Sequence, residues 1–258
     1  MPLKGVLVTS LLSLLGRGAV AGGAAGFVSG GFSWLLAEPV LDKAVRLEAT
    51  REEASGGPAG VELFSRSTQH TGLLIAAVLT GASLGVLFAV VYAIVHRRDP
   101  ESTPWQRSLM LAGAGFTGVW LLPFLRYPAN PPGVGDPGTL DTRVNAWLAA
   151  IGIGVIAVTL AWRVHGWLKQ HGRSAPQRQL AVMGIVLAAL VSLFALPDNP
   201  DPVTAPALLV WDFRALSAAS MGLLWGGLAV GFGLLGMRAA RDRTEAGLPS
   251  ASSAVPAT

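Results

Sequence analysis

"TGLLIAAVLTGASLGVLFAVVYAIV", residues 71–95, runs for twenty-five residues without a single charge. As an α-helix it would be about 37 Å long at 1.5 Å per residue, more than the roughly 30 Å of hydrocarbon in a bilayer. A helix satisfies its own backbone N–H and C=O groups, which a lipid-exposed chain has to do without water. Working outward, comparable runs occupy 18–37, 108–125, 146–164, 179–196 and 215–237. The 258 residues are 52% hydrophobic and 13% charged, with a mean hydropathy of +0.53, whereas a soluble domain carries about 25% charged residues. The expected fold class is an all-α integral membrane protein, a six-helix transmembrane bundle with proline-rich outer loops. Its lipid partner is the bilayer.

Orientation follows from the basic residues in alternate connections, because cytoplasmic loops carry the excess of Lys and Arg. One side holds twelve of the nineteen, from Lys4 and Arg17 through Arg97, Arg98 and Arg107 to Arg238, Arg241 and Arg243. The other holds Lys43, Arg46, Arg51, Arg66, Arg126, Arg143 and Arg214, together with eleven of the fifteen acids. Both termini are therefore expected in the cytoplasm, in a multi-pass protein of a bacterial inner membrane. Trp34, Tyr127, Trp147 and Trp211 at outer span ends, with Tyr92, Trp105, Trp162 and Trp167 at inner ends, fit interfacial belts. The basic residues are scattered between spans rather than massed on one face, so no nucleic-acid partner is expected.

The expected organisation is an N-terminal extension at 1–17, one transmembrane domain at 18–237 with a long outer connection at 38–70, and a disordered cytoplasmic tail at 238–258. Lys4, the apolar run 6–15 and "AVA" at 19–21 imitate a signal peptide, but Arg17 interrupts the pattern and the apolar character continues to Leu36. An uncleaved first helix is expected. Glycines four apart permit close backbone approach between membrane helices. Gly22, Gly26 and Gly30, then Gly81 and Gly85, then Gly222 and Gly226 form such rows and are expected at helix contacts.

Each odd-numbered span is expected to end outside in a proline-bearing acidic turn: "AEPVLD" (37–42), "YPANPPGVGDP" (127–137) and "LPDNPDP" (196–202). The last two share Pro-x-Asn-Pro. Proline stops a helix and fixes φ, so such turns hold a shape without a sheet. Residues 38–53 have the spacing of an amphipathic helix. The spans lack clear ionisable residues away from their ends, so the oxygen donors available to a hard cation lie outside. Glu38, Asp42, Asn130, Asp136, Asp198 and Asp212 are the candidate metal ligands, with Asn199 and Asp201 nearby. The ordinary alternative for each is a solvated charge or a helix cap, and for Arg126 and Arg214 an ion pair at a helix end.

The chain has no cysteine, which excludes disulfides, Fe–S clusters and thiolate metal sites. His165 and His171 are six apart and do not share a helical face. There is no phosphate-binding Gly-x-x-x-x-Gly-Lys-Ser/Thr loop, no Gly-x-Ser-x-Gly and no His-Glu-x-x-His, so an enzyme is not expected.

Five segments carry a resemblance: "RGAVAGGAAGF" (17–27), "EPVLDKAVRLE" (38–48), "FSRSTQHTGL" (64–73), "PFLRYPANPPGVGDP" (123–137) and "LLVWDFRALS" (208–217). Together they cover most of the chain from Arg17 onward, and it resembles the CbtA family of bacterial membrane proteins, which are predicted subunits of cobalt transporters. The resemblance implies cobalt uptake linked to cobalamin biosynthesis and a small CbtB-like partner protein. It implies Co²⁺ as cargo and no permanently bound cofactor. Members of the family often carry a histidine-rich first outer loop, and residues 48–67 contain no histidine. That departure weakens metal capture there, changes the metal, or hands capture to a partner. A transport subunit with the outer acidic turns as its entrance is the first expectation. A non-transporting membrane scaffold or assembly subunit is the second, and a membrane enzyme ranks third.

Overall fold

A computed structural model of the chain describes residues 2–54, 66–96, 102–132 and 134–247. Among these, all regular structure is helical. The helices are α1 (Pro2–Phe32), α2 (Glu38–Ala54), α3 (Arg66–Val95), α4 (Pro104–Gly115), α5 (Leu122–Arg126), α6 (Leu140–Gln170), α7 (Ala175–Phe194) and α8 (Ala207–Gly247). Six stretches are long and apolar enough to cross a membrane: Leu11–Arg51, Thr71–Val95, Pro104–Arg126, Pro137–Gln170, Ala175–Phe194 and Ala207–Asp242. The helix α1 runs unbroken from Pro2 through residue 17, and α8 continues beyond Met237 to Gly247. Residues 55–65 of the long connection and 248–258 of the expected tail lie outside the described residues.

The expected turn at 37–42 is not a turn. Helix α1 passes through a wide π-helical turn, Ser33–Ala37, straight into α2, where Glu38 donates its N–H to the carbonyl of Ser33, five residues back. Pro39 follows at once. A proline inside an α-helix has no N–H to give and its ring collides with the carbonyl four residues earlier. Widening the turn before it moves that carbonyl aside, so the chain bends rather than stops. The same solution recurs between α4 and α5, where Phe116–Leu121 is π-helical, Leu122 donates to Thr117 and Pro123 follows. The expected amphipathic helix over 38–53 is found as α2, which buries Ala44.

Helix ends follow their local chemistry. At the start of α4, Thr103 accepts from the Gln106 N–H while the Gln106 side chain accepts from the Thr103 N–H, both at 3.2 Å. Ser174 begins α7 in the same way, its N–H held by the Gln177 side chain at 3.1 Å. Gly172, at φ +67°, closes α6, with Arg173 N–H reaching back to the Leu168 carbonyl at 3.0 Å.

The closest packing is between α1 and α3. A β-carbon at Gly18, Gly22 or Gly26 would strike the backbone carbonyl of Gly85, Gly81 or Ala77, so the two backbones touch along three turns. The row at Gly22, Gly26, Gly81 and Gly85 is thus at the expected helix contact. Gly222 and Gly226 are not: among the described residues nothing lies within 4 Å of a β-carbon built on either. The face of α8 that meets α1 is the neighbouring row, Gly227 and Gly231, against Ala25 and Ala21. A further close crossing, Gly118 on Gly154, joins the second π turn to α6. Around these contacts Phe88, Leu111, Leu228 and Phe232 form the main core, with the Phe88 and Phe232 rings edge to face at 5.1 Å. The hydroxyl of Ser108, fully buried, donates to the Ala229 carbonyl at 2.6 Å and so ties α4 to α8. A smaller core of Leu122, Ala150 and Leu193 holds α5, α6 and α7 together.

Candidate functional site

The two Pro-x-Asn-Pro segments meet at one end of the bundle. Prolines cannot donate hydrogen bonds, so a loop rich in them has more carbonyls to satisfy than N–H groups to satisfy them with. Arginines from the neighbouring helices supply the missing donors. Arg126, on the last turn of α5, gives Nε to the Leu193 carbonyl at 3.0 Å and Nη2 to the Leu196 carbonyl at 2.6 Å, capping the end of α7. Arg214 on α8 gives Nε to the Ala129 carbonyl at 3.1 Å. Arg143 on α6 gives Nη2 to the Asp136 carbonyl at 3.1 Å, and Arg51 on α2 gives Nη2 to the Thr204 carbonyl at 2.7 Å. The Tyr127 hydroxyl adds a bond to the Pro197 carbonyl at 2.6 Å.

The candidate acids and amides are drawn into this frame unequally. Asp198 Oδ1 accepts from Arg126 at 2.7 Å, and Asn130 Oδ1 accepts from Arg214 at 2.8 Å. Asp136 caps the short 3₁₀ turn Pro137–Thr139, its Oδ1 accepting the Gly138 N–H at 2.7 Å. Asp201 is the acid that the frame buries, at 8% exposure, between the Thr139 hydroxyl at 2.8 Å and Arg143 Nε at 3.2 Å. Gly135 lies above that pair at φ +119°, where a β-carbon would run into the Arg143 guanidinium.

A hollow of about 550 Å³ opens inside the frame, lined by Asn130, Asp198 and Asp201 together with Arg126, Arg143 and Arg214. Three guanidinium groups face two carboxylates there, and each carboxylate has an arginine on it. Such a lining does not favour a hard cation, whose ligands must keep their lone pairs for the metal.

Glu38 is placed elsewhere. It lines a second cavity, of about 410 Å³, with Ser33, Trp120, Ser217, Ser220 and Met221. Asp42, one turn further along α2, and Asp212 on α8 line neither space and are half-buried. The six candidates therefore do not converge: Asn130 and Asp198 share the arginine frame, Asp136 sits at its edge, and Glu38 stands in a separate cavity. Among the described residues no three of His, Asp and Glu come together where they could hold a metal ion.

Sequence reasoning misses the serines. Ser29 and Ser33 of the first span reach Ser220 of α8, Ser29 Oγ lying 2.9 Å from the Ser220 carbonyl and 2.8 Å from its hydroxyl, and Ser33 Oγ 2.9 Å from that hydroxyl. A serine in an apolar span carries no periodic signal, and only the pairing of distant helices reveals it.

No curated protein and no solved structure matches the chain. The family model for the probable cobalt transporter subunit (CbtA) matches residues 11–236, from the first span into the last and through both proline loops. The chain belongs to the CbtA family of probable cobalt transporter subunits, which is a family of transporter components and not of enzymes.

Proposed function

We propose that this protein is the membrane-embedded subunit of a divalent-cation transporter that carries Co²⁺ inward for cobalamin biosynthesis. The observation that carries this reading is the family match across all six spans. The charge distribution supports an orientation with both termini in the cytoplasm and the arginine-tied proline loops outside. A small CbtB-like membrane protein is the partner, and the membrane is the bacterial inner membrane. In this reading the outer frame is a rigid rim around the entrance. Asn130, Asp136 and Asp198 act in it chiefly through the arginines and turns they engage.

Uptake of radiolabelled Co²⁺ by cells lacking their other cobalt importers tests it. Co-expression of this chain with its partner should restore uptake, and Asn130→Ala with Asp198→Ala should lower it. Unchanged uptake in that double variant would remove the frame from the entrance. The scaffold reading has one observation in its favour, the arginine on each acid of the frame. Purified protein with no Co²⁺ flux in liposomes, alone or with the partner, would select it.

A further inference from the structure

The hollow inside the arginine frame has its acceptors engaged and donors left over. A guanidinium has five N–H groups, and Arg126, Arg143 and Arg214 each commit Nε and Nη2 to the frame. Among the described residues the Nη1 of each has no hydrogen-bond partner, and none of these three nitrogens is buried. The asparagines on the lining add to the surplus. Arg214 can only donate, so Asn130 turns its oxygen to it, and Asn199 turns its oxygen to the Asp201 N–H at 3.3 Å. Each amide nitrogen is then left as a donor.

The charges lean the same way. Both oxygens of Asp201 already hold the Thr139 hydroxyl, and one of them also pairs with Arg143. Asp198 is 92% exposed at its side chain, so solvent screens its charge, while its partner Arg126 is only 11% exposed. Arg214, half-buried, has a carbonyl and an amide oxygen as its partners and no carboxylate. Three guanidinium groups against two carboxylates leave the lining net positive. At about 550 Å³ the space is far larger than an inorganic ion needs and falls within the usual range for small-molecule sites. Trp147, Val134 and Val203 give it an apolar wall.

We propose that this hollow binds a small organic anion bearing carboxylate or phosphate groups. The unengaged guanidinium N–H groups, above all those of Arg214, take its charged oxygens, and its carbon skeleton lies against Trp147. Guanidinium groups suit such oxyanions because their planar N–H pairs match two oxygens at once. The frame already holds these side chains in place through the loop carbonyls, so little ordering is left for the ligand to impose. The proposal stands apart from the transport reading, and binding and Co²⁺ uptake are measured separately.

Titration calorimetry of the full-length protein in nanodiscs of zwitterionic lipid, with citrate as the probe, tests it. Citrate should bind saturably and more weakly as NaCl is raised. Arg214→Gln should weaken binding by about tenfold or more. Because that variant also loosens the loop, a second one fills the space instead: Thr142 is exposed and lines the hollow, and Thr142→Trp should abolish binding with the arginines intact. Asp198→Asn leaves an oxygen for Arg126 but removes a negative charge, and it should tighten binding severalfold, which a merely structural Asp198 would not do. No saturable heat with citrate, binding that survives Thr142→Trp, or weaker binding in Asp198→Asn would each overturn the site. Inorganic phosphate binding as tightly as citrate would overturn the organic ligand. Citrate displaced by phosphatidylglycerol in the nanodisc would give the hollow to a lipid headgroup and overturn the soluble one. Absent Co²⁺ uptake by the wild type would sink the transport reading and leave this site to be decided by the titration.

Discussion

The α1–α3 seam and the arginine frame hold the molecule together by opposite means. In the seam there is nothing between the backbones: Gly18, Gly22 and Gly26 are there to be absent, and their value is the space a side chain would fill. In the frame everything depends on long side chains, since Arg51, Arg126, Arg143 and Arg214 each cross to the main-chain carbonyl of another segment. The difference follows from the medium. Among lipid tails there is no hydrophobic gain in bringing apolar helices together, so contact comes from close approach. At the membrane rim, proline-rich loops are short of donors, and a guanidinium with five N–H groups supplies several at once.

The largest expected effect breaks the seam. Gly22→Leu would place its β-carbon on the Gly81 carbonyl and within 2.9 Å of the Gly85 α-carbon. Neither backbone can yield without parting the helices, and the cost should be about 3 kcal/mol or more. Size-exclusion chromatography in detergent should show loss of the monodisperse species, and a normal profile would mean the seam is looser than described. Arg126→Ala comes next. It strips two carbonyls and Asp198 of their donor at a side chain only 11% exposed, at about 2–4 kcal/mol. Arg126→Lys should recover part of the melting temperature but not all, because an ammonium cannot reproduce the fork. Full recovery would show that charge alone matters there. The smallest effect is the control for the first. Gly222→Ala and Gly226→Ala meet open space and should stay within about 0.5 kcal/mol of the wild type in thermal melts. A large loss at either would place a contact on that face.

The same contrast explains what the sequence discloses. The spans are legible because twenty uncharged residues have few alternatives in water. The glycine row on α1 is legible because one spacing dominates it. On α8 two rows, Gly222/Gly226 and Gly227/Gly231, have the same spacing a fraction of a turn apart, and only the position of Ala21 and Ala25 decides between them. The motif 37–42 suggests a turn because proline usually ends a helix, but a widened turn before Pro39 accommodates it. Of the candidate site, the oxygen donors are visible in the sequence and their engagement is not. Nothing local in "PANPP" or "PDNP" announces that arginines 67 to 85 residues away will claim the loop carbonyls and amide. The basic residues on the acidic side look like exceptions to a charge rule, and four of the seven are the ties of the frame.

The widened turns also change how the helices must be counted. Along an ordinary α-helix, side chains return to the same face after three or four steps, and Ser29 and Ser33 obey that rule. From Ser33 the next step is five, because the N–H of Glu38, not that of Ala37, closes on the Ser33 carbonyl. The acid is brought into line with the serines by one residue of slack that the wide turn absorbs, and the counting resumes in fours beyond it. A relative one residue shorter between 33 and 37, and without the proline that the wide turn accommodates, would have an unbroken α-helix with its acid still under the serines. Matched letter by letter without a gap, the two sequences would appear to have moved the acid when neither had.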